Sequence, residues 1–364
     1  MRNLSAALIS QGSKSSLMTA EAMRKYFSRV DMLQLKNVKV SLGKESGVYY
    51  EGKPLDYYDC VYIKGSFRYA NLQRSIALML EGKVPYMPFP ANSFTVVHNK
   101  LLTHLILQQH NIPMPKTFIS PTTDAAKELL GMIKYPLVMK FPQGTQGKGV
   151  MFADTFSSAS SLLDALGVLN QPFIVQEYVE TGGTDVRALV VGDKVVAAMR
   201  RRAQREEKRA NIHAGGNGEL AVLDREAVAL ALKTARILEV DICGVDMLEG
   251  SFGPVVIEAN LSPGVQGINE GALLDLPDEI AKFLFKKTEE ALYKKNKQAA
   301  DEVMKGLTLE SKTPPGQKII TDLKFRGERI ILPEWITKIT GFNEQKEYII
   351  KAGKGRLEVE ENWE

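Results

Sequence analysis

The chain has 364 residues, 44% hydrophobic and 25% charged, with a formal net charge of +4. That balance excludes disorder as the main state, and no apolar run approaches the ~20 residues that cross a bilayer. The mild positive charge suits phosphate-bearing ligands, while 43 acidic residues against 47 basic ones make no case for nucleic acid. At ~150 residues per domain the length fits two to three domains. The opening segment reads as a first strand and not as a leader, which makes the cytoplasm the expected compartment and leaves no role for a membrane. Cys60 and Cys243 lie far apart in apolar runs. They form neither a metal spacing nor a disulfide framework, and are expected to be buried free thiols.

In chain order, a strand is predicted over residues 4–10, a helix over 17–27, and strands over 38–42, 48–50 and 58–63. This is the rhythm of a small α/β domain with a parallel sheet. A proline-rich boundary at 85–90 ends it. Next come a helix over 99–109, a strand over 116–119, a helix over 124–130 and a strand over 137–141. A glycine-rich loop, Gly144-Thr145-Gln146-Gly147-Lys148-Gly149, leads into a strand over 150–153, a helix over 158–166 and a strand over 173–178. A hairpin follows over 188–199 with Gly192-Asp193 at its turn, then an amphipathic helix over 224–238. Two strands, 242–248 and 255–259, flank Gly250-Ser251-Phe252-Gly253, and a charged helix covers 278–297. A linker at 306–317 precedes a compact unit with short strands around Gly327, a helical turn after Pro333, and strands at 348–351 and 356–359.

Three features carry chemistry. If the strands at 242–248 and 255–260 form a hairpin centred near Phe252, Asp246 stands directly across from Glu258, with Asn260 two residues further on the same face. Opposed carboxylates repel unless a cation lies between them, and an oxygen set of this kind suits Mg²⁺ or Mn²⁺. The other reading is a solvent-facing pair on an edge hairpin, and a bulge would break the register. Lys140, at a strand end, precedes the loop 144–149, whose glycines let backbone N–H groups close around anionic oxygens. The loop has neither Walker A order nor a following helix, and an ordinary glycine-rich hairpin is the alternative. The basic stretch from Arg200 to Arg209 reads as a solvated loop, a nucleic-acid strip or a loop that folds over polyphosphate.

Taken together and in this order, these features resemble the ATP-grasp superfamily. Within it they resemble the RimK-type ligases that join an amino acid to a carboxylate. The resemblance spans residues 1–290, most specifically 135–265. Asn99-Lys100-Leu-Leu-Thr103 ahead of Asn111-Ile-Pro-Met-Pro-Lys-Thr117 is similar to the family's Asp-Lys-x-x-Thr…Gly-Ile-Pro-x-Pro-x-Thr, with Asn99 for Asp and Asn111 for Gly. Lys100 then matches the first ATP lysine, and Lys140 with Gly144, Thr145, Gln146, Gly147 and Gly149 matches the second lysine and phosphate-covering loop. Val175-Gln-Glu177-Tyr178-Val179 resembles the hinge that reads adenine. Asp185-Val-Arg187 resembles the family's Asp-Ile-Arg, which implies ribose binding by Asp185 and a place for Arg187 near the transferred phosphate. Ala197-Ala-Met-Arg200-Arg201 and Arg209-Ala-Asn211 resemble Ala-Ala-Met-Lys-Arg and Arg-Ser-Asn. Asp246, Glu258 and Asn260 fall where the family has its metal ligands.

The resemblance implies an α/β fold of ATP-grasp type. Its parts are a Rossmann-like N-terminal domain (1–91), a two-lobed ATP-grasp domain (92–300, lobes 92–173 and 174–300), a linker (301–317) and a small β-rich unit (318–364). It implies ATP and two Mg²⁺ or Mn²⁺ ions. It also implies a carboxylate, on a small molecule or peptide, that is phosphorylated to an acyl phosphate and attacked by an amino acid such as L-glutamate. Lys140, Arg187 and Arg201 would be catalytic, and Arg200 and Arg201 would grip a substrate carboxylate. Read from their place after the strand at 58–63, Lys64, Arg68 and Asn71 either line the acceptor pocket or belong to an ordinary polar loop. The segment from Lys324 to Ile350 resembles an AbrB-type swapped hairpin, which implies a homo-oligomer, dimer or tetramer. The competing readings are a ligand-sensing regulator that binds DNA through this unit, and a phosphotransferase with no amine acceptor.

Overall fold

The most apolar stretch of the N-terminal region builds its central strand. β1 (Ser5–Ser10) carries Ala6, Ala7, Leu8 and Ile9, none of them accessible to solvent. A strand apolar on both faces is covered on both, the signature of a parallel sheet. β1 lies between β2 (Arg29–Gln34) and β6 (Cys60–Ile63), parallel to both. α1 (Lys14–Met23) starts at Ser13, whose Oγ accepts from Ser16 N at 3.2 Å. A computed structural model supplies these coordinates and describes residues 3–120, 122–144, 149–168, 172–203, 217–264, 275–307, 324–327 and 329–361. They form two compact units, Met1–Asp301 and Glu302–Glu364.

The two strands expected to extend the parallel sheet do not join it. β3 (Val38–Ser41), β4 (Gly47–Tyr50) and β5 (Lys53–Pro54) make a separate antiparallel sheet. Their connections are short turns, and parallel pairing needs a crossover of roughly a dozen residues. β2 and the helices α2 (Ala70–Leu80) and α3 (Ala91–Val97) are elements that periodicity did not reveal. α4 (Lys100–Gln109) is capped by Asn99, whose Oδ1 accepts from Leu101 N at 3.0 Å and Leu102 N at 3.3 Å.

Two further sheets follow. β7 (Thr117–Phe118), α5 (Thr123–Leu130), β8 (Leu137–Lys140), β9 (Val150–Ala153), α6 (Phe156–Val168) and β10 (Ile174–Glu177) form one lobe. Its strands are ordered β7-β10-β8-β9, over a core of its own containing Leu130, Leu137, Met139 and Leu163. β10 pairs with both β8 and β7, so this lobe's sheet extends through Glu177 and not only to residue 173. β11 (Thr184–Val191), β12 (Lys194–Arg202), β13 (Asn217–Leu220), α7 (Arg225–Ile237), β14 (Ile242–Gly250), β15 (Gly253–Asn260) and α8 (Leu276–Leu307) follow. The five strands are ordered β13-β12-β11-β14-β15. This sheet shares one apolar core with the N-terminal one, running from Leu8 and Tyr62 through Val190 and Cys243 to Ile280 and Leu284. Cys60 and Cys243 are buried and free.

The second unit contains β16 (Lys324–Arg326), β17 (Arg329–Ile331), α9 (Glu334–Thr340), β18 (Tyr348–Gly353) and β19 (Arg356–Glu361), as two separate hairpins around a helix. Residues 308–323, where most of the expected linker falls, lie outside the described residues, and α8 runs into the linker's start. No helix among the described residues is long and apolar enough to cross a membrane.

Candidate active site

The four- and five-stranded sheets of the first unit face each other across a cleft. On one wall, β8 ends in Lys140, which is buried and donates from Nζ to Gln176 Oε1 at 2.7 Å. Gln176 is fixed in turn by donating from Nε2 to Thr117 Oγ1 at 2.7 Å. Burial, with the charge of Lys100 adding to it, pushes the Lys140 ammonium down to about 8. Lys100, in the first turn of α4, donates from Nζ to the carbonyl of Gly144 at 3.0 Å and stands 3.6 Å from Glu258 Oε2. Two lysines drawn out of water side by side form a site for an anion. Gly149 closes the loop with φ +77°, where a Cβ would lie 2.4 Å from the Phe141 ring. Thr145, Gln146, Gly147, Arg209 and Asn211 lie outside the described residues.

The opposite wall carries the acids. Asp246 on β14 stands across from Glu258, and Gly244 across from Asn260. The pairing depends on a bulge. The turn pairs Gly250 with Gly253 and Met247 with Val256, and the register then shifts, leaving Ile257 as the extra residue. Without the shift, Asp246 would meet Ile257 and Glu258 would point to the other face. His104 holds this bulge, with Nε2 3.2 Å from the Ile257 carbonyl. Burial and the charge of Lys140 push His104 down to about 4, so its ring is neutral. The Asn260 amide fits with its nitrogen 3.1 Å from Glu258 Oε1 and its oxygen 3.2 Å from Arg187 Nη2. No group of three His, Cys, Asp or Glu gathers among the described residues. The convergent donors are two carboxylates and an amide, a hard oxygen set that fits Mg²⁺.

Four charges lock the cleft floor. Arg187 donates to both oxygens of Asp246, at 2.6 and 2.7 Å. Arg201 donates to both oxygens of Asp185, at 2.5 and 2.8 Å, and lies 3.0 Å from Asp246 Oδ2. Burial alone would raise the Asp246 carboxyl, but Arg187 and Arg201 outweigh it and hold it down at about 2. Asp185 is shifted upward, because its burial exceeds what Arg201 returns.

These contacts correct one expectation. Arg200 and Arg201 do not grip a carboxylate together, because neighbours on a strand point to opposite faces. Arg201 is buried between two aspartates, while Arg200 turns away to Glu249 at 2.6 Å. Glu177, Tyr178 and Val179 line the cleft where β10 leaves its sheet, beside Asp185. Gln176 and His104 went unassigned in the sequence. Gln176 was findable as the strand neighbour of the hinge residues, whereas nothing near His104 signals a bulge on a distant strand.

Comparison with known proteins identifies the family. The RimK-like ATP-grasp domain matches residues 97–284. A probable alpha-L-glutamate ligase of Thioalkalivibrio sulfidiphilus is 41% identical over 201 residues, covering 54% of this chain and 67% of that one. The ribosomal protein bS6–L-glutamate ligase of Escherichia coli O81 is 34% identical over 241 residues, covering 66% of this chain and 80% of that one. Among solved structures, the ATP-grasp ligase PsnB complexed with a minimal precursor, Mg and ADP superposes with a TM-score of 0.61 at 16% identity, over 78% of this chain and 98% of that one. The D-alanine–D-alanine ligase of Bacillus anthracis does so with a TM-score of 0.56 at 14% identity, over 80% and 99%. The structural likenesses carry the fold, and the sequence matches carry the lineage. The chain belongs to the RimK-like ATP-grasp family of ATP-dependent carbon–nitrogen ligases.

Proposed function

We propose that this ligase adds L-glutamate, or a similar amino acid, to a carboxylate on a peptide or small-molecule acceptor through an acyl phosphate. The observation that carries the reading is the facing of two desolvated lysines, Lys100 and Lys140, and the paired Asp246 and Glu258 across one cleft. A carboxylate does not react with amines at neutral pH because its leaving group would be oxide. Transfer of the ATP γ-phosphoryl group to it releases ADP and leaves a mixed anhydride. The amine then attacks, phosphate departs with the C–O bond, and the amine proton is lost to solvent. Lys140 and Lys100 bind phosphate oxygens as their charge develops, and Arg187 does the same from the floor. Glu177 to Val179 present backbone to adenine, and Asp185 lies beside them for the ribose. Asp246, Glu258 and Asn260 would hold Mg²⁺, which neutralises phosphate charge when bound. Arg201 acts by orienting Asp185 and Asp246. By the family resemblance, the segment 144–149 would cover the phosphates and exclude water.

The test uses the purified chain with Mg-ATP, L-glutamate and a small-molecule and peptide extract. ADP release is followed alongside mass spectra searched for species one amino-acid residue heavier. Coupled ADP and a new amide are the expected result. ADP with no amide would favour a phosphotransferase and overturn the reading.

We further propose that the second unit pairs with a second copy of the chain. Phe325, Ile330, Ile331, Ile349, Ile350 and Leu357 are all exposed there, apolar surface that a second copy would cover. Ile331→Asp combined with Ile350→Asp in the full chain is expected to shift sedimentation from dimer to monomer at micromolar concentration. An unchanged mass would remove this pairing.

A further inference from the structure

The N-terminal sheet holds a buried cation that the site described above does not use. Lys64 directly follows β6 and is only 3% exposed. Its Nζ donates to Ser15 Oγ, in the first turn of α1, at 3.3 Å and lies 5.5 Å from the centre of the Tyr62 ring. No carboxylate pairs with it among the described residues, and burial alone pushes its ammonium down to about 8. A second buried group beside it is equally uncompensated. A Cβ at Gly65 would lie 2.2 Å from Gln73 Nε2, so the Gln73 amide rests against the backbone next to Lys64. Gln73 has no solvent exposure, and neither its Oε1 nor its Nε2 has a hydrogen-bond partner. Leaving such groups unsatisfied is costly, so their presence calls for an occupant.

Topology places this cluster where open α/β sheets take ligands. In the order β2-β1-β6 the chain runs outward from β1 in both directions. The crevice at the carboxyl ends of β1 and β6 is therefore the switch point. The N-terminus of α1, which carries Ser15, lies at the same strand ends, and its dipole favours an anion. The segment after β6 packs against the strand end beside the cleft. Gly65 N donates to Ser262 Oγ at 2.9 Å, and the next residue, Pro263, would touch a Cβ at Gly244 at 3.3 Å, where Arg187 Cδ also comes within 3.5 Å.

We propose that Lys64, with Ser15 and Gln73, binds a carboxylate of one of the two substrates at this switch point. The assignment rests on the ligase reading. Lys64 supplies an ammonium and Gln73 an unpartnered amide N–H beside Gly65, donors that suit a planar anion with two acceptor oxygens. The carboxylate can belong to the incoming amino acid or to the acceptor.

The test is calorimetric titration of the full chain with Mg²⁺ and a non-hydrolysable ATP analogue bound. The probes are L-glutamate, glutarate and a peptide ending in glutamate. Lys64→Met is expected to weaken binding of at least one carboxylate probe by ~10-fold or more, with Lys64→Arg retaining part of it and Gln73→Met losing part. Affinity for the ATP analogue stays at the wild-type value. The melting temperature of free Lys64→Met rises, because an uncompensated buried charge is removed, and a purely structural lysine would not give that combination. Weakening confined to L-glutamate assigns the amino acid, and weakening confined to the peptide assigns the acceptor. Wild-type chain that binds none of the probes, or Lys64→Met that binds all of them equally well, overturns the proposal. Failure of the ligase reading shows separately, as wild-type chain that makes ADP without amide.

Discussion

Asp246→Asn is expected to lower kcat on the order of 10³-fold, whatever acceptor is used. Asp246 is held by three guanidinium contacts from Arg187 and Arg201 and shares its face with Glu258. An asparagine there offers one neutral oxygen where a cation needs a charged pair. The same substitution leaves two guanidinium groups short of a counter-charge, which costs about 3 kcal/mol of stability at a buried site. ADP release measured against Mg²⁺ concentration, beside a urea melt, separates the two effects. Turnover near the wild-type level in a folded protein would remove the hairpin from the metal site.

Lys140→Met is expected to reduce turnover on the order of 10²-fold or more, yet to make the nucleotide-free protein more stable at neutral pH. In the folded chain the Lys140 ammonium is pushed down to about 8, against 10.5 for an ordinary lysine. Below pH 8 both folded and unfolded chains carry the proton, so the folded state bears the whole cost of the buried charge. Between pH 8 and 10.5 the unfolded chain binds more protons than the folded one, and wild-type stability rises with pH relative to the variant. The cost is about 3 kcal/mol at most. The variant leaves Gln176 Oε1 without its donor, which returns ~1–2 kcal/mol of that gain. The advantage of Lys140→Met at pH 7 should therefore shrink, and then reverse, as the pH approaches 10.5. Urea unfolding at several pH values checks this. A gap that does not change with pH would mean that Lys140 carries no buried charge.

The hairpin at 242–260 shows how far sequence reasoning reached. Placing Asp246 opposite Glu258 follows from centring the strands on Phe252, and the structure has that pair. It arrives there by another route. The turn is centred between Ser251 and Phe252, and the bulge at Ile257 supplies the missing residue of register. Strand arithmetic counts residues along the chain. It does not see a side chain from another helix, here His104, holding the extra carbonyl. The adjacent arginines make the same point in reverse. Read as the start of a basic loop, Arg200 and Arg201 instead lie on β12, whose alternation sends them to opposite faces, and the tertiary fold buries Arg201 by setting Asp185 and Asp246 beside it.

The sequence by itself determined the local grammar. The turn glycines, the Asn99 cap, the glycine-rich loop behind Lys140 and the order of oxygen-bearing residues on two strands are properties of neighbours, set by backbone sterics and side-chain periodicity. The tertiary structure decided everything that depends on distance across the chain. It closed β3 to β5 into their own sheet, put β10 into the first lobe, and withdrew Lys64, Lys140 and Gln73 from water. Desolvation separates a surface lysine from a buried one waiting for an anion. It depends on which remote segments pack over the side chain, and a local pattern does not record that.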